Sequence, residues 1–190
     1  DTLLAHPNVI CIHNPDAGIP PPSVLADRPE RIGFSTLPAV GLDRKIVRRG
    51  LLFMDTSSGN APSLGFQLAL LSLQAEGLLP ESADPDHPER LRWGKALLRP
   101  LESNDGPYIN TDAGGYQFLI RFKDPAAFPR YTLHDVLTGH FRPELLQGKI
   151  ILVGVTATSV KDHIQTPLKP DQFGVEVHAA QRRRTCRVGD

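Results

Sequence analysis

The 190-residue chain carries 21 basic and 21 acidic side chains, so its formal charge is zero, and 40% of its residues are hydrophobic. That composition belongs to a globular domain and excludes a disordered tail; a neutral chain also exerts no global pull on phosphate backbones or anionic lipid, so no nucleic-acid partner is expected. Eighteen prolines, about twice the average share, imply many fixed turns and a loop-rich surface.

In chain order, Asn8-Val9-Ile10-Cys11-Ile12 is a short apolar run followed by Pro15-Asp16-Ala17-Gly18 turn chemistry, which predicts a buried strand. Residues 18–35 are proline-rich and without period, hence a loop. Residues 46–54 read as a strand around Arg48-Arg49. A turn-rich stretch then supplies Ser63 as N-cap of a helix over residues 64–77. In that helix Leu64, Leu68 and Leu71 make one apolar stripe and Phe66, Leu70 and Leu73 a second, so it should be buried, with Gly77 at its C-terminal stop. Residues 78–106 are polar and proline-containing, with a short helix over residues 93–98.

Residues 116–122 alternate, Tyr116, Phe118, Ile120 and Phe122 on one face, which predicts a half-buried strand. Thr132-Leu133-His134-Asp135 resembles a capping box and opens a helix ending at Gly139; Pro143 and Gly148 bracket another. Ile150-Ile151-Leu152-Val153 has no alternation, the signature of a central parallel strand covered on both faces. A long loop then leads to a helix beginning near Gly174. The order strand, helix, helix, strand, loop, helix predicts an α/β fold with a central, mostly parallel or mixed sheet flanked by helices. Cys11 and Cys186 fit no metal spacing; a disulfide between them and two lone thiols are both open. No apolar run approaches the roughly eighteen residues of a membrane span, and Asp1 opens no signal peptide, so the chain reads as a segment of a longer protein.

Residues 145–157, Leu-Leu-Gln-Gly-Lys-Ile-Ile-Leu-Val-Gly-Val-Thr-Ala, resemble the hallmark of the type-two CHASE domain (cyclase/histidine-kinase-associated sensory extracellular). Asp162, Thr166-Pro167 and Gly174-Val175-Glu176-Val177-His178-Ala179 follow in the family's order. Upstream, residues 132–139 with Phe141, Gly33-Phe34, Arg48-Arg49 and residues 63–69 give sparser matches. The resemblance implies a single sensory domain over residues 1–190, short of the family's first N-terminal strands and ending in an atypical tail over residues 181–190. The acidic–glycine turn of the family is replaced by Asp43-Arg44-Lys45. It further implies an extracytoplasmic, non-catalytic ligand-sensing module of a bacterial transmembrane receptor, tied to the membrane only through flanking helices. The receptor's output would be a cyclase or a kinase. The implied partners are an unknown small molecule and, through the parent receptor, a second copy; no cofactor is implied.

Candidate binding residues follow the residues 150–153 strand, because ligands collect at the carboxyl ends of strands in open α/β sheets. They are Thr156, Thr158, Ser159 and Asp162, with Arg48 as a candidate anion contact. The bland alternative is a tight connection that merely needs small residues. Gly154, Thr166, Pro167, Gly174, Glu176 and His178 read as structural motif positions. Glu176 and His178 point about 200° apart on a helix, which argues against a shared metal and for Glu176 satisfying the helix N-terminus. Two alternatives stay open beside ligand sensing: a structural dimerisation or spacer domain, and, remotely, a small-molecule hydrolase using Ser159, Asp162 and His178. No Gly-x-Ser-x-Gly elbow supports the last.

Overall fold

The computed structural model describes residues 2–38, 46–56, 59–122, 124, 128–160 and 162–186, and for Thr158 and residues 181–186 the backbone alone. The turn expected at residues 43–45 and the side chain of Cys186 lie outside the described residues; Cys11 is a free thiol.

After a single helical turn, α1 (Thr2–Ala5), β1 (Cys11–His13) and β2 (Ile32–Phe34) pair in parallel, with Cys11 opposite Ile32 and His13 opposite Phe34. Parallel partners need a long crossover, and the proline-rich loop supplies it. Arg31 ties that loop down: its buried guanidinium donates from Nε to the Val9 carbonyl and from Nη2 to those of Leu3 and His6.

α2 (Leu64–Gln74) starts where expected. The Ser63 hydroxyl accepts from the Phe66 N–H, and Gly77, at φ 75°, follows the last turn. Leu64, Phe66, Leu68, Ala69 and Leu73 are buried, whereas Leu71 is 39% exposed and breaks the first predicted stripe. β2 approaches the start of α2 so closely that a Cβ on Gly33 would sit 2.6 Å from the Leu64 Cα.

The strand predicted over residues 46–54 is split. Ile46 bridges Gln165, β3 (Arg49–Leu51) pairs antiparallel with β9 (Gln117–Leu119), and β4 (Phe53–Thr56) pairs with β5 (Gly59–Pro62). The helix expected over residues 93–98 is instead a hairpin. β6 (Glu81–Ser82), β7 (Leu91–Trp93) and β8 (Ala96–Leu98) form one antiparallel sheet, and Gly94, at φ 58°, makes the turn that a helix does not tolerate. α3 (Leu133–Leu137) opens with a complete Thr132/Asp135 capping box. The last elements are β10 (His163–Ile164), β11 (Gln172–Phe173) and α4 (Gly174–Cys186), which packs against α2.

The chain thus mixes helices and strands, but a central parallel sheet is not found among the described residues. Small sheets of two or three strands take its place, and β1–β2 is the parallel pair among them. Residues 150–153 carry no strand pairing. A strand of that composition needs a neighbour on each edge and a layer on each face; without them its side chains meet solvent, Ile151 at 54% and Val153 at 94% exposure. Two apolar clusters hold the body together. One gathers Leu52, Phe66, Ala69, Leu73 and Trp93, the other Val47, Ile120, Val177 and Ala180.

Candidate functional site

β1 and β2 run in the same direction and end side by side, so Asn14 and Ser35 leave the pair together at its carboxyl end. Their departures are tied: the Ser35 N–H and hydroxyl both donate to the His13 carbonyl, at 2.9 and 3.3 Å. Asn14 then closes a tight turn with Ile19 through reciprocal backbone hydrogen bonds of 2.9 and 2.8 Å, and its Oδ1 accepts from the Ala17 N–H at 3.1 Å. Gly18 takes φ 65° in that turn and leaves Asp16 near its tip.

The facing wall comes from the other end of the chain. The Val47 N–H donates to the Gln165 carbonyl at 2.8 Å, which seats the β10–β11 hairpin beside the start of β3. Inside the hairpin the buried Thr166 hydroxyl donates to Gln172 Oε1 at 3.0 Å and accepts from the Lys169 N–H at 3.1 Å, while His163 lies against Asp171 and stacks on Phe173. The Thr166-Pro167 motif is therefore the brace of this turn. Between the walls lies an open cleft of about 390 Å³, lined by Asn14, Asp16, Ser35, Thr36, Asp162 and, as apolar floor, Leu37, Val47 and Ile164.

Two carboxylates, an amide and two hydroxyls with no basic side chain among these lining residues make a surface that accepts hydrogen bonds and repels anions. Asp162 connects the cleft to α4. Its carbonyl accepts from the Gly174 N–H at 3.3 Å, and a Cβ on Gly174 would fall 2.7 Å from both Asp162 carboxylate oxygens, so only glycine leaves this carboxylate its place. Beside the cleft, burial holds the His13 imidazole below its ordinary pKa.

Of the residues singled out from sequence, Asp162 lines the cleft, while Thr156 and Ser159 are exposed and not among the lining residues, and Thr158 opens a 3-10 turn. Arg48 is also exposed and, although next to Val47, is not among the lining residues, whereas its neighbour Arg49 is buried. Gly154 packs so tightly on Val175 that a Cβ would meet it at 2.5 Å. Glu176 lies in the first turn of α4, where an anion suits the helix dipole, and pairs with Arg130. His178 lies on the next turn of α4. No described hydrogen bond joins Ser159 to Asp162 or His178, and no group of three metal-ligating side chains gathers among the described residues.

Asn14, Asp16, Ser35 and Thr36 were missed by sequence reasoning. The turn at Pro15-Asp16-Ala17-Gly18 was legible, but its closeness to Asp162 was not.

No curated protein and no solved structure matches the chain. The family model of the CHASE2 domain, an extracytoplasmic sensory domain, matches residues 1–182, and the chain therefore belongs to the CHASE2 domain family.

Proposed function

We propose that this chain is the ligand-sensing, non-catalytic part of a membrane-anchored bacterial receptor, and that the cleft between the β1/β2 carboxyl ends and the β10–β11 hairpin takes its ligand. The observation that carries this reading is the junction itself: parallel strand ends, where α/β sheets collect ligands, face a wall that continues through Gly174 into α4. A small molecule rich in N–H or O–H donors matches the lining. By bonding Asp16 and Asp162 at once it would draw the hairpin toward β1, and the helix that begins at Gly174 would follow. The ligand shifts the equilibrium only by its differential affinity for the drawn-in state. No helix among the described residues is long and apolar enough to cross a membrane, so an anchor would lie in another part of the receptor.

A thermal-shift panel of small amines and polyols tests the proposal. A binder is expected to raise Tm by mass action, and Asp16→Asn and Asp162→Asn are each expected to weaken it about tenfold, the worth of one charge-assisted hydrogen bond. A binder indifferent to both substitutions, or a panel without any binder, counts against the cleft.

A second reading, a dimerisation or spacer domain, is favoured by the apolar side chains left open along residues 133–160. Leu133, Leu137, Ile151, Val153 and Val155 are each more than half exposed.

A further inference from the structure

Among the described residues two guanidinium groups are buried, and they are bonded differently. Arg31 spends its donors on three carbonyls. The guanidinium of Arg49, at 2% exposure, makes one hydrogen bond among the described residues, Nη1 to the Asp112 carbonyl at 2.8 Å, and its Nη2 is buried with no acceptor among them. No carboxylate lies within ion-pair distance of it among the described residues; the ring of Tyr108 also lies against it, with Cζ 5.2 Å from the centroid. A buried cation without a counter-charge is costly, and an orphaned donor adds to that cost.

Beside it sits the complementary fault. Leu51 of β3 lies opposite Gln117 of β9, and Arg49 opposite Leu119, so Arg49 and Gln117 are diagonal neighbours on one face. Gln117 Nε2 donates to the same Asp112 carbonyl at 3.2 Å and to the Gly114 carbonyl at 2.8 Å. With both amide hydrogens on carbonyls, the remaining atom is the oxygen, and this Oε1 is buried without a donor among the described residues. A cationic donor and a neutral acceptor, both unused, are thus held around one carbonyl oxygen.

We infer that Arg49 and Gln117 form a second ligand site, distinct from the cleft, for a small carboxylate that carries a hydroxyl or ammonium on the adjacent carbon. The carboxylate accepts from Arg49 Nη2, and the neighbouring O–H or N–H donates to Gln117 Oε1. A carboxylate can displace the Asp112 carbonyl from the guanidinium because it brings the counter-charge that the carbonyl lacks and can accept two parallel N–H bonds.

Access requires residues 101–115 to lift. Within that segment Thr111 N–H reaches the Ser103 carbonyl at 3.0 Å and Asn110 N–H reaches Asn104 Oδ1 at 3.0 Å, while Arg99, just before it, holds Asp105 at 2.7 Å and ties its start to β8. These bonds make the segment a compact loop packed on its own backbone, in the manner of an Ω-loop, that would lift as a unit. The contacts to be broken are those of the Tyr108 ring with Arg49, of the Asp112 carbonyl with Arg49 and Gln117, of the Gly114 carbonyl with the Gln117 amide, and of the Leu101 N–H with the Gln117 carbonyl.

Glycolate is the probe, with acetate, which lacks the adjacent donor, and glycolamide, which lacks the charge, as controls. At about a hundredfold excess over Kd, glycolate is expected to raise Tm by about 5 °C, acetate less and glycolamide not at all. Arg49→Met fills the same space without charge and abolishes the glycolate shift. Gln117→Met, the second variant should Arg49→Met fail to fold, reduces glycolate to the level of acetate. Asp162→Asn leaves the glycolate shift intact, which separates this site from the cleft. No shift in the unsubstituted chain, or an equal shift in a folded Arg49→Met or Gln117→Met chain, overturns the inference.

Discussion

Glycine is required in this chain for two different reasons, and they differ in cost. At Gly33 the constraint is space, since a Cβ would lie 2.6 Å from the Leu64 Cα and 2.7 Å from its nitrogen, backbone atoms that cannot step aside. At Gly148 the constraint is the left-handed backbone, φ 66°, with nothing within 4 Å of an added Cβ. Gly33→Ala should therefore destabilise by about 3 kcal/mol and Gly148→Ala by about 1 kcal/mol, an order that urea unfolding resolves. His13 supplies a pH signature. Burial depresses its pKa, so the fold favours the neutral ring. That stabilisation is complete above the unfolded value of 6.5 and is lost as pH falls through the folded one. Tm measured between pH 7 and pH 5 should fall, and His13→Gln should flatten the fall by the share that His13 carries.

Elements whose start and stop signals lie within a few residues were legible. α3 shows why: Thr132 N–H and hydroxyl donate to Asp135 Oδ2, at 2.9 and 2.5 Å, and Asp135 N–H donates back to the Thr132 oxygen at 3.1 Å. The hydroxyl bond first, then the backbone one, holds the Asp135 carboxyl below its ordinary pKa. The cap is therefore strongest above the ordinary carboxylate range and weakens as pH falls through the folded value. Thr132→Ala should cost α3 about 1 kcal/mol. Because Leu133 and Leu137 are more than 70% exposed, that loss should appear as faster amide exchange in α3 with Tm nearly unchanged. The hairpin at β7–β8 was misread for the converse reason. Trp93 to Leu98 has helix-forming composition, and only the positive φ of Gly94 and the burial of Trp93 against Phe66 decide for a turn.

The largest departure from expectation is the aliphatic run at residues 150–153, legible as a strand by composition and unpaired in the fold. Its open face gives the dimerisation reading a direct test. Val153 is 94% exposed, so Val153→Lys should change stability by no more than about 0.5 kcal/mol. If copies associate through this run, the same substitution should shift the chain from dimer to monomer in light scattering at equal concentration. Unchanged association in Val153→Lys removes that face from the interface.

The amino-acid sequence alone determined the family, through the order of motifs along most of the chain, and the caps of α2 and α3 and the start of α4, because each of these depends on backbone chemistry within a few positions. Only tertiary structure decided that Asp16 and Asp162 share a cleft, and that of the pair Arg48 and Arg49 the second is the one withdrawn from water. The reason is physical: adjacent strand residues face opposite sides, and no local rule says which side the core will cover, nor which distant turn will close over it.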